Sequence, residues 1–138
     1  MKIADPWKQI FTEQLLKTTI RTPSRFSLPP SSQRFLLEQM CRAFPLNKSI
    51  QIRPLRLAGL RAEELKPETE ATQLILHIHG GAFFLGSMNT HRAFVSDLAA
   101  STQMQVIHLD YPLSPEHPYP EAIDALFDVY QLLLEQGI

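Results

Sequence analysis

The sequence has one cysteine, Cys41, so an internal disulfide is excluded. That usage suits a reducing compartment, and Cys41 reads as a small core hydrophobe rather than a reactive thiol. Charge of one sign is also lacking: the net charge is −1, which leaves no basic field to draw nucleic acid or anionic lipid. No apolar run approaches the length of a membrane span. The opening stretch MKIADPWKQIFTEQLLK carries no signal-peptide core, because Asp5, Pro6, Lys8, Gln9 and Glu13 interrupt it. The expected location is therefore the cytoplasm. Internal repeats and low-complexity tracts are absent as well. What is present is a chain of 138 residues, 44% hydrophobic and 20% charged, the size and balance of one globular domain.

Apolar periodicity divides the chain. Trp7, Ile10, Phe11 and Leu15 share one face of a helix expected over 6–20. The segment RTPSRFSLPPSS breaks it, and Ser31 or Ser32 is placed to cap a second helix. In that helix Leu36, Met40 and Phe44 recur every four residues, with Pro45 at its end. Residues 1–47 thus form a helical segment, and residues 48–138 a second unit in which the period changes.

IQIRPLRL alternates apolar with polar residues, as a half-exposed strand does, and Gly59 allows a turn into LRAEEL as its antiparallel partner. KPETEAT reads as a surface loop. Residues 73–79 are apolar enough for a strand covered on both faces. NTHRAFVSDLAAST then reads as a helix capped by Asn89, MQVIHLDY as a strand, and PLSPEHPYP as a loop stiffened by four prolines. The final helix runs from Pro120 to Gly137, with Ala122, Ile123, Leu126, Phe127, Tyr130, Leu133 and Leu134 on one face. Strand, helix, strand, helix in that order implies an α/β fold with parallel pairing.

The 73–79 strand stops at His79-Gly80-Gly81. In open α/β sheets ligands bind just beyond the carboxyl ends of strands, and glycine leaves backbone N–H groups bare there. Such a loop cradles a phosphate or stabilises an oxyanion. Neither G-x-G-x-x-G nor G-x-x-x-x-G-K-[ST] occurs, which counts against phosphate. His77 and His79 point the same way from a strand, but two histidines without a third ligand do not make a metal site. His91, His108 and His117 read as surface or packing residues.

HGGAFFLGS, followed after the next strand by DYPLSPEHPYP, resembles the hormone-sensitive-lipase-like branch of the α/β-hydrolases. The family motifs are H-G-G-[GA]-[FW]-x-x-G-S and D-Y-R-L-A-P-E-x-P-[FY]-P, and the likeness covers roughly residues 50–138. It implies the N-terminal half of an α/β-hydrolase fold: a mixed, mostly parallel sheet with flanking helices, preceded by N-terminal cap helices. By resemblance Gly81 and Ala82 offer the backbone donors of an oxyanion hole. Gly80 lets the loop turn, His79 fixes it by hydrogen bonding, and Asp110 and Glu116 support it by accepting loop N–H groups. Phe83 and Phe84 wall an acyl pocket or pack in the core, and the Trp7–Phe11 stripe lines the substrate entrance or packs. Ala82 replaces a common third glycine, which a backbone donor tolerates unless its φ is positive. Pro112 replaces an arginine able to pair with Asp110 or Glu116 and brace the loop.

The same resemblance implies serine acylation of small to medium acyl esters, with no cofactor or metal. No G-x-S-x-G occurs, and the catalytic serine, acid and histidine are absent from the 138 residues. The expected role is the N-terminal portion of an esterase or lipase, inactive by itself and supplying the oxyanion loop. The alternative is an inert paralogue or a partner-binding fragment. The open edge of strand 73–79 is expected to pair with a second copy or with a complementary C-terminal chain.

Overall fold

A computed structural model describes residues 28–137, so the helix expected over 6–20, with its Trp7–Phe11 stripe, lies outside the described residues. Within them the order is α1 (Pro30–Cys41), β1 (Ile50–Leu57), β2 (Leu60–Pro67), β3 (Leu74–Ile78), α2 (Met88–Thr102), β4 (Gln105–Asp110) and α3 (Glu121–Glu135).

Ala58 and Gly59 join β1 to β2, both at positive φ (46° and 83°), as a two-residue hairpin turn requires. The register runs from Leu57 opposite Leu60 to Ile50 opposite Pro67. β2 thus extends two residues into the expected loop, and Pro67, which has no N–H, is tolerated because it ends the strand. The sheet order is β1-β2-β4-β3. β2 and β4 pair antiparallel, whereas β3 and β4, joined through α2, pair parallel. The sheet is mixed as expected. Among the described strands, however, antiparallel pairings outnumber the parallel one, because the hairpin turns β2 back against β1 and β2 also runs opposite to β4.

The two helices of the second half cover opposite faces. Ile107, Leu109 and Tyr111 pack with Ala122, Leu126, Val129 and Leu133 of α3. Val106 and Leu65 pack with Val95 and Ala99 of α2. β4 lies between two strands and two helices, and Val106, Ile107, His108 and Leu109 are all buried.

Several local expectations are corrected. β3 is not covered on both faces: its residues are half-buried and Ile78 is 46% exposed, because among the described residues only β4 flanks it. α3 buries Ala122, Leu126, Val129 and Leu133, while Ile123, Phe127, Tyr130 and Leu134 stay exposed. A cylinder touches a sheet along one stripe, so the rest of its broad apolar surface remains open. α1 begins at Pro30 without a side-chain cap, leaving Ser31 and Ser32 inside its first turn. It ends before Phe44 and buries no residue, and Cys41 is half-buried rather than part of the core. α2 is capped by Ser87, not Asn89. The Ser87 hydroxyl accepts from the Thr90 N–H, and Thr90 Oγ1 accepts from the Ser87 N–H.

Candidate functional site

The glycine loop leaves the carboxyl end of β3 and enters α2 at Ser87. Gly81, Ala82 and Phe83 all take positive φ (131°, 55° and 58°), and the amides of Phe84 and Leu85 close the turn on the Gly81 carbonyl at 3.0 and 2.8 Å. A Cβ on Gly81 would stand 1.9 Å from the Leu85 oxygen, and one on Gly86 would stand 2.5 Å from the Gly80 oxygen. Those two glycines are therefore obligatory. Gly80 has no positive φ, and a Cβ there meets nothing within 4 Å, so the turning is done by Gly81 and Gly86. Ala82 does adopt the positive φ that an L-residue tolerates poorly. Among the described residues no acceptor takes the amide hydrogens of Gly81 or Ala82. Two adjacent bare donors at a strand's carboxyl end suit a developing negative charge.

His79 is buried (2% exposed) beneath the loop. Its Nδ1 lies 3.0 Å from the Gly80 carbonyl, a contact that assigns the ring proton to Nδ1. Burial lowers its pKa, the Gly80 bond opposes this, and the nearby His91 lowers it further. Tyr111 stacks on it at 4.3 Å and donates its hydroxyl to the His79 carbonyl at 2.6 Å. Behind it, on the α2 face of the sheet, stands a group of imidazoles. His77 and His108 are cross-strand partners with rings 4.8 Å apart, and His91 lies 6.1 Å from His77 and 5.4 Å from His79. His108 is fully buried with both ring nitrogens unbonded, and burial brings its pKa down to about 3. It is a core residue, as one of the two readings from sequence had it. Among the described residues no group of three or more His, Cys, Asp or Glu is placed to hold a metal ion.

The acids stand on either side of the loop. Asp110 accepts the Met88 N–H at 3.3 Å, at the start of α2, and lies 3.5 Å from Arg61. Glu116 accepts from Arg34 Nη1 at 2.9 Å. Its own backbone amide and then Arg34 lower its carboxyl pKa. Phe83 is 43% exposed and meets the Tyr111 ring edge-on at 5.8 Å, whereas the half-buried Phe84 lies 5.8 Å beneath the Arg34 guanidinium.

Sequence reasoning missed Arg34, Glu38 and Tyr111. Arg34 also donates through Nε to the Phe84 carbonyl at 2.8 Å and through Nη2 to the Ser114 carbonyl. Glu38, one helical turn on, accepts from the Ser87 hydroxyl at 2.7 Å. The available signal was indirect: Pro112 left the loop without a local brace.

The chain is similar to several known proteins. The family described as alpha/beta hydrolase fold matches residues 75–138. An esterase of Acinetobacter venetianus is 68% identical over all 138 residues, which span 46% of that protein. An acetyl-hydrolase of Streptomyces hygroscopicus is 37% identical over 76 residues, 55% of this chain and 25% of that protein. Among solved structures, an esterase from the bacterial hormone-sensitive lipase family superposes with a TM-score of 0.76 at 31% identity, over 91% of this chain and 42% of that one. An esterase/lipase from an uncultured bacterium gives 0.73 at 36% identity, over 80% and 37%. The chain spans less than half the length of these relatives.

Proposed function

This chain belongs to the hormone-sensitive-lipase-like branch of the α/β-hydrolases, and on that premise we propose that it supplies the oxyanion side of a serine carboxylic-ester hydrolase. The observation that carries the reading is the pair of bare amides at Gly81 and Ala82, in a turn of positive φ just beyond the carboxyl end of β3. A serine outside these residues attacks the ester carbonyl. The Gly81 and Ala82 N–H groups hold the oxygen as it takes negative charge, and the alcohol leaves as the acyl-enzyme forms. His79 and Tyr111 keep the strand end beneath the loop in place. Phe83, exposed beside the donors, forms the wall against the acyl group of a small to medium ester.

The chain holds no G-x-S-x-G, so by itself it performs no turnover. The edge of β3 that no described strand covers receives a complementary strand of the same sheet. A groove of about 480 Å³ lies beside it, lined by Leu74, Leu76, Tyr130, Leu133 and Leu134. Exposed Ile78 and Phe127 extend the apolar surface. An unbraced loop at Pro112 would favour the inert-paralogue alternative, but Arg34 bridges the same loops and supplies a brace.

Fluorophosphonate labelling of the native protein, recovered with whatever co-purifies, tests the reading. The label is expected on a longer form or a companion chain, and not on residues 1–138 alone. No label anywhere, with competent esterases labelled alongside, overturns it.

A further inference from the structure

We infer that Arg34 of α1 is a positioning residue that clamps the glycine loop to the proline-rich loop and so fixes the direction of the Gly81 and Ala82 N–H groups; this rests on the ester-hydrolase reading of that loop. Pro112 has no donor with which to join the two loops. Arg34 joins them from 50 to 82 residues away in sequence: Nε to the Phe84 carbonyl, Nη2 to the Ser114 carbonyl, Nη1 to the Glu116 carboxylate. The Ser114 N–H donates to the Phe83 carbonyl at 2.8 Å, a backbone bond between the same two loops. Four residues on, on the same face of α1, Glu38 accepts from the Ser87 hydroxyl that caps α2. One helix thus holds both ends of segment 84–87.

The manner of attachment separates this from ordinary packing. α1 buries no residue, and Phe35 and Leu36 face outward at 61% and 46% exposure. Its hold on the loop is polar, through a side chain only 21% exposed. The planar guanidinium fork serves three acceptors at fixed angles, which an ammonium cannot reproduce. Phe84 closes the 81–85 turn, and the orientation of that turn sets where the two bare amides aim. A shift there weakens contacts made chiefly to the developing oxyanion, so it lowers kcat more than it raises KM.

The test compares wild type, Arg34→Gln and Arg34→Lys in the full-length native protein, by amide hydrogen exchange and by hydrolysis of p-nitrophenyl acetate. In both variants the Phe84, Leu85 and Ser114 amides are expected to exchange on the order of tenfold faster, with Val106–Leu109 unchanged. kcat is expected to fall roughly 10- to 100-fold with KM within about twofold. If Arg34→Gln fails to fold, Arg34→Lys, which keeps the charge and most of the stem, carries the same readouts. Unchanged exchange in the loop, equal acceleration throughout β4, a raised KM with intact kcat, or wild-type behaviour of the lysine variant each overturns the clamp. If the wild-type protein neither hydrolyses the ester nor takes a fluorophosphonate label, the ester-hydrolase reading falls, and the exchange data still decide whether Arg34 holds the loop.

Discussion

The hydroxyl of Tyr111 donates to the carbonyl of His79 at 2.6 Å, tying the end of β4 to the end of β3 where the chain turns into the glycine loop. Both residues are buried, at 5% and 2% exposure, so the carbonyl has no ready substitute partner. Tyr111→Phe keeps the ring stack and removes the bond. Urea denaturation is expected to show a loss of about 1–2 kcal/mol, the cost of one unsatisfied buried acceptor.

Ala82 at φ 55° carries a strain that glycine does not. Ala82→Gly is expected to raise stability by about 0.5–1 kcal/mol, read as a higher melting temperature. Gly81→Ala has the opposite effect, because its Cβ would stand 1.9 Å from the Leu85 oxygen. The loop must then open, and exchange protection at the Leu85 amide is expected to vanish.

Glu63 is 7% exposed and accepts two bonds from Arg92, through Nε at 2.8 Å and through Nη2. Arg92→Met leaves a buried carboxylate without its partner and is expected to cost about 3 kcal/mol in the same urea assay. The Arg92→Met/Glu63→Leu double variant is expected to recover most of that loss, since no buried charge then remains.

Acid stability follows from His108, whose pKa falls from 6.5 to about 3 through burial and then through His77, His79, His91 and Arg92. His77 and His79 shift in the same direction, with burial as the first cause. In the unfolded chain His108 takes a proton below pH 6.5; in the folded chain it stays neutral down to about 3. Its contribution is therefore whole above pH 6.5 and is lost as pH falls from there toward 3, with a slope of about 1.4 kcal/mol per pH unit. Glu63 faces it from β2, but Arg92 of α2 holds that carboxylate, and the Arg92 charge itself disfavours a protonated imidazole. His108→Leu is expected to flatten the acid limb in urea titrations between pH 7.5 and 5. An unchanged limb would assign the acid sensitivity elsewhere.

Much of this was legible along the chain because it is local. The two-residue turn at Ala58-Gly59, the strand–helix–strand–helix order and the glycine loop at a strand's carboxyl end each follow from periodicity and φ preference within about ten residues. The site was half legible: HGGAFFLGS marked the loop in which two adjacent amides lack an acceptor among the described residues, while the assignment of turning to Gly81 and Gly86 rather than Gly80 needed the path of the backbone.

The sequence by itself determined the order of elements and the place of the loop, since hydrophobic period and glycine freedom act between near neighbours. Tertiary structure alone decided the rest. It set Arg34 against Phe84, Ser114 and Glu116, gathered His77, His79, His91 and Arg92 around His108, and chose which stripe of α3 touches the sheet. Those relations join residues far apart in the chain. They exist only once packing has fixed β4 in the middle of the sheet, with α2 and α3 on its two faces.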